Sequence, residues 1–218
     1  MEGSSMMGLM ALGALVIYLL VSIWVTRKAS NWAKANNKKP WLWGGLAAFV
    51  MYNLVFWDLI PTLVMHKYYC ATQAGFWVYK TPEQWMKENP ELTAEDLKPF
   101  SKDVNEMPHE VLNAGTSNAI TITKINKRIF KAFDTEKFGD LIPLKKSVNY
   151  FYDSKSDKRI AEFINFVSGY GNPMTTGKGL SAWKFWLRDN CYNREGDVLE
   201  LVGFNNYFVS IVNLGEDK

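Results

Sequence analysis

Residues 26–40 read TRKASNWAKANNKKP, a short basic stretch between two apolar runs, each long enough to cross a membrane. The first run, residues 6–25, is MMGLMALGALVIYLLVSIWV, twenty residues without a charge. At about 1.5 Å rise per residue it covers roughly 30 Å, the hydrocarbon thickness of a bilayer. The second, residues 41–65, is WLWGGLAAFVMYNLVFWDLIPTLVM, and its one ionisable group is Asp58. The pattern predicts two transmembrane helices, over about 6–25 and 41–65, joined by a basic loop over 26–40. The residues before the first run, MEGSS, carry Glu2 and no Lys or Arg, unlike the positive start of a secretory signal, so the run is expected to be retained.

The loop sets the expected orientation. Arg27, Lys28, Lys34, Lys38 and Lys39 stand in it with no acidic residue, and short loops with such an excess stay in the cytoplasm. Both the N-terminus and everything after residue 69 are then expected outside, in a bacterial periplasm anchored to the inner membrane. Trp24, Trp32, Trp41, Trp43, Trp57, Tyr68 and Tyr69 fall where aromatic belts meet the two interfaces. Gly44 and Ala48, four residues apart, are small enough to let another helix approach.

Residues 70–218 are expected to form one extracytoplasmic α+β domain, following the hairpin of residues 1–69. They hold 19 Lys and Arg against 20 Asp and Glu, the chain's 25 and 22 less the six and two that precede Cys70. This near-neutral domain offers no nucleic-acid footprint, and the chain's formal charge of +3 resides in the basic loop, where anionic lipid headgroups are the expected partner.

A carboxylate inside a span is costly and is by default a functional candidate. Asp58 lies three residues before Pro61 and follows Asn53. It is expected to be an interfacial residue, a hydrogen-bonding contact for a partner helix, or an ion-handling group. The chain's two cysteines, Cys70 at the exit of the second run and Cys191 near the C-terminus, would both face an oxidising compartment, which favours a disulfide over free thiols or an intermolecular bridge.

Within the outer domain, residues 74–80 suit a strand, Thr81-Pro82-Glu83 starts a helix that stops by Pro90, and Thr93 starts another. Residues 101–118 read as a long loop, 119–133 as strand-rich, and 147–153 with 159–170 as a hairpin. Residues 181–192 read as a helix, and 197–214 as two closing strands, so a mainly antiparallel sheet with a few short helices is expected. Tyr150, Phe151 and Tyr152 are consecutive and cannot all face inward from a strand, so at least one is free for a contact.

No GxSxG, Walker, GxGxxG or zincin motif occurs. Residues 169–179, GYGNPMTTGKG, combine Gly, Thr and Lys without the order of a phosphate-binding loop. The two histidines, His66 and His109, show no metal-ligand spacing in the sequence, so no catalytic residue, metal or cofactor is assigned. The leading expectation is a non-enzymatic, membrane-anchored accessory or assembly subunit that contacts other membrane or envelope proteins. The alternatives are an envelope hydrolase using carboxylates such as Glu162, Asp189 and Glu200, and a small ion-handling subunit using Asp58.

Overall fold

The first helix does not stop where its apolar run ends. In the computed structural model, which describes residues 2–113, 119–138, 142–170, 184, 187–192 and 195–214, α1 (Glu2–Ala35) is 34 residues long. Residues 26–35 contain no Gly or Pro to end it and several good helix formers to continue it. The helix ends where Asn37 takes left-handed backbone, with φ 52°, and Pro40 opens α2 (Pro40–Phe56) at its first position. The expected loop over 26–40 is therefore corrected to a short turn. Arg27, Lys28 and Lys34 lie on α1, and Lys38 and Lys39 lie in the turn. The Lys38 ammonium sits 4.8 Å from the Trp32 ring and 5.0 Å from the Trp43 ring, pinning the two helices together at this end. Close packing of the antiparallel pair depends on Gly44, where a Cβ would fall 2.2 Å from Ser30 Oγ.

The single helix expected over 41–65 is likewise corrected. α2 stops at Phe56, and α3 (Leu59–Thr72) leaves it at 58°. Pro61, in the first turn of α3, has no N–H to offer a continuing ladder, and Asp58 occupies the break. Among the described residues, Leu12–Ala35 is the one helical stretch long and apolar enough by itself to cross a membrane, while α2 and α3 meet that criterion as a bent pair.

Beyond α3 the chain is α+β, with a wholly antiparallel sheet among the described residues. Its strands are β1 (Gly75–Val78), β2 (His109–Leu112), β3 (Ile120–Lys124), β4 (Ile129–Lys137), β5 (Leu144–Asp153), β6 (Lys158–Ser168) and β7 (Asp189–Asn190). The order is β1-β6-β5-β4-β3-β2, with β7 also paired to β6. Two short helices, α4 (Pro82–Glu88) and α5 (Ala94–Leu97), are started by capping boxes at Thr81 with Gln84 and at Thr93 with Asp96.

Three expectations fail here. The loop over 101–118 contains β2. The helix over 181–192 is replaced in its described part by β7, while Trp183 and Trp186 lie outside the described residues, as does most of 169–179. The two closing strands are one helix, α6 (Glu195–Asn213). Its Val, Phe and Ile content suits a strand, yet Phe204, Tyr207, Ile211 and Leu214 recur at three and four residues and present one face to the sheet, so periodicity prevails over propensity. That face packs on Phe151, which is fully buried, and on Phe163 and Phe76.

Candidate functional site

α3 carries Asp58 at its N-cap, then Thr62, His66 and Cys70, each four residues apart and so on one face of the helix. Asp58, Thr62 and His66 are buried, and the face they form is turned toward the α+β part of the chain. The opposite side exposes Ile60, Val64 and Tyr68. α3 thus buries its polar stripe and exposes its apolar one, the reverse of a helix packed on a soluble core.

The α+β part of the chain meets the stripe at two levels. At the lower level, Tyr170 Oη donates to Asp58 Oδ2 at 2.7 Å, and Lys184 Nζ donates to the same oxygen at 2.8 Å. Lys184 also lies 5.9 Å from the Trp57 ring and 5.8 Å from the Tyr170 ring. Gly169 makes this return possible. Its φ is 101°, and a Cβ there would stand 3.2 Å from the Arg188 Cα, so the chain turns sharply off β6 toward Asp58. Burial, reinforced by the hydrogen bond to Asp58, pushes the Tyr170 hydroxyl well above the usual tyrosine range, and it remains a donor throughout the physiological range. Asp58 Oδ1 and Thr62 Oγ1 have no hydrogen-bond partner among the described residues.

At the upper level the tie is covalent. Cys70 and Cys191 form a disulfide, with their Cα atoms 5.3 Å apart. Cys191 is delivered by a short segment stitched to β6. Ser168 Oγ donates to the Leu187 carbonyl at 2.6 Å and accepts from the Asp189 N–H at 3.1 Å, and the Tyr192 hydroxyl donates to the Ile164 carbonyl at 2.7 Å. Tyr69 stacks on Phe166 with ring centres 5.1 Å apart and lies 4.6 Å from Phe138. His66 sits beside the bridge, its Nε2 3.4 Å from Cys70 Sγ and 3.2 Å from the Phe166 carbonyl oxygen.

The remaining sequence candidates disperse. Gly44 is buried against α1, whereas Ala48 is exposed. Asn53 donates to the carbonyl of Phe49 on its own helix at 2.8 Å. Phe151 is in the core, while Tyr150 and Tyr152 lie on the other sheet face, with the Arg159 guanidinium 4.3 Å from the Tyr150 ring. Sequence reasoning missed Tyr170 and Lys184 as partners of Asp58. It also missed His66, for which the four-residue spacing to Asp58, Thr62 and Cys70 was the available signal.

Carboxylates converge in one other place, a cleft of about 150 Å³ lined by Lys80, Glu88, Asn89, Asp153, Lys158 and Arg159 among others. Each carboxylate there is engaged by a cation, Asp153 by Arg128 and Glu88 by Lys80. Burial would raise the Asp153 pKa, but the hydrogen bond from Arg128, with those from Lys155 and Ser156, outweighs it and holds the carboxyl below its usual range. Asp153 is thus ionised at neutral pH and has no proton to give as a general acid. Because its folded pKa is depressed, its contribution to stability is complete above the unfolded pKa of about 3.9 and is lost as pH falls through the folded value. The stability difference between wild type and Asp153→Asn, measured by denaturation across pH, is expected to be constant from pH 7 to 5 and to shrink below pH 4.

No family model, no curated protein and no solved structure matches this chain.

Proposed function

We propose that the chain is a membrane-anchored accessory or assembly subunit of a larger envelope complex. The observation that carries this reading is α6, which is apolar on two sides. Its inner face fills the domain core, while Val198, Leu199, Val202 and Val209 point outward, Leu199 at 72% and Val209 at 52% exposure. This outward face also carries the exposed Asn205 and Asn206, and an apolar patch rimmed by polar side chains on an extramembrane domain is the kind of surface that a protein partner covers. The polar stripe of α3 adds to this. A domain fixed to its anchor by a disulfide and a buried ion pair holds such a surface at a set height above the bilayer.

In this reading α1 and α2 form a transmembrane hairpin with its basic turn in the cytoplasm, and the N-terminus and the outer domain lie in the periplasm of a bacterial inner membrane. Lipids surround α1 and α2, and the apolar side of α3 rests in the outer leaflet, continuous with α2 through Leu54 and Trp57, both exposed. The ion-handling alternative has less support because Asp58 is already paired with Lys184, and the hydrolase alternative because the clustered carboxylates are neutralised by cations.

Purification from native membranes in mild detergent tests the proposal. Wild type is expected to elute with defined partner proteins, and Leu199→Glu with Val202→Glu, both at exposed positions, to elute without them while keeping the wild-type unfolding midpoint. A wild-type monomer that copurifies with nothing would overturn it.

A further inference from the structure

We propose that His66, Cys70 and Cys191 form a zinc(II) site when the disulfide is open, so that the same side chains tie α3 to β7 through either a sulfur–sulfur bond or a metal ion. The Nε2 and the two Sγ atoms all lie within 4.8 Å of one another. His66 and Cys70 are one turn apart on α3, and their donor atoms are 3.4 Å apart. Zinc bonds of about 2.0–2.1 Å to nitrogen and 2.3 Å to sulfur in a tetrahedron require about 3.6 Å for that edge. Once the bond is reduced, the two sulfurs must stand about 3.8 Å apart, a separation that rotation about the cysteine Cα–Cβ bonds can supply.

The surroundings of His66 suit a ligand. Its Nε2 faces the sulfurs, while Nδ1 lies 3.9 Å from Asp189 Oδ2, the arrangement in which a carboxylate orients a metal-bound imidazole from behind. With the disulfide closed, a proton on Nε2 is shared with the Phe166 carbonyl oxygen at 3.2 Å. Moving that proton to Nδ1, on the Asp189 side, turns the Nε2 lone pair toward the sulfurs. His66 is 3% exposed, so the imidazole is shielded from competing solvent, whereas Cys70 is only partly buried and leaves an approach for a water as the fourth ligand.

The chemistry balances with a dithiol as reductant. The dithiol gives two electrons and two protons to the Cys70–Cys191 bond and closes to its own disulfide, leaving two protein thiols. Zinc(II) then binds both sulfurs as thiolates and two protons pass to solvent. The inference does not depend on which partner α6 contacts.

The test uses the full chain in detergent, oxidised or reduced with a phosphine that competes poorly for zinc, then incubated with zinc chloride and desalted. Metal per chain is read by mass spectrometry, and cobalt(II) is substituted to read thiolate ligation from its near-ultraviolet charge-transfer band. One zinc per reduced chain, none per oxidised chain, and a cobalt spectrum of tetrahedral thiolate type are expected. Asp189→Asn should weaken binding roughly 10- to 100-fold while keeping the cobalt spectrum. His66→Gln should lose the tetrahedral spectrum. Oxidised and reduced chains that bind equally, a reduced chain that binds nothing, or a His66→Gln chain that binds as tightly as wild type would each overturn the assignment. The oxidised–reduced comparison needs no substitution, so a misfolded variant cannot mask the answer.

Discussion

Replacing both Cys70 and Cys191 with alanine is expected to lower the stability of the outer domain by about 4 to 5 kcal/mol in the chain-entropy description of a long closed loop. The two residues are 121 apart in sequence, so the bond constrains nearly the whole domain when it unfolds. For a domain of this size that corresponds to a fall of roughly 10–20 °C in the unfolding midpoint. Thermal or denaturant unfolding of the full chain in detergent, free of added metal, measures it. The loss should be accompanied by protease cleavage near residues 187–192, because that segment is otherwise held to β6 by side-chain hydrogen bonds and two strand pairs. A change below about 1 kcal/mol would refute the entropic account, because it would mean that the unfolded chain is already restricted without the bond.

How far each feature was legible in the sequence depended on the distance over which its cause acts. The disulfide was readable because the chain has two cysteines, and a lone pair of cysteines in one chain favours an intrachain bond wherever the compartment is oxidising. Asp58 stood out through the cost of a carboxylate in an apolar run. Its partners did not, because Tyr170 and Lys184 lie 112 and 126 residues away and come close only through the turn at Gly169. Pro61 marked the backbone disturbance in the second run, but its extent, a bend of 58° with Asp58 at the break and paired to Tyr170 and Lys184, is carried by no local pattern. α6 was misread for another reason. Its β-branched and aromatic residues were weighed by type, whereas the positions of Phe204, Tyr207 and Ile211 against the sheet decide the outcome. The β5–β6 hairpin, governed by local alternation and a polar turn expected at 154–158, was read nearly as it stands.

Lys184→Met is expected to destabilise the attachment of the outer domain to α3 by about 3 to 5 kcal/mol, because it leaves a fully buried carboxylate without its counter-charge. Asp58→Asn should cost less. The Lys184 side chain is 15% exposed and can turn toward water, which a carboxylate enclosed at the helix break cannot do. The double variant Asp58→Asn with Lys184→Met should recover most of the loss, since a neutral amide beside an apolar chain of similar volume carries no unpaired charge. Tyr170→Phe removes one hydrogen bond to a charged acceptor and should cost about 1.5 to 3 kcal/mol. Denaturant unfolding in detergent, followed by tryptophan emission, reads all four, and Trp57, with the Lys184 ammonium 5.9 Å from its ring, reports directly on the pair. The order of the single and double variants is the decisive result. Additive losses would mean that the two charges do not interact, and a Lys184→Met chain within about 1 kcal/mol of wild type would mean that Asp58 is satisfied without it.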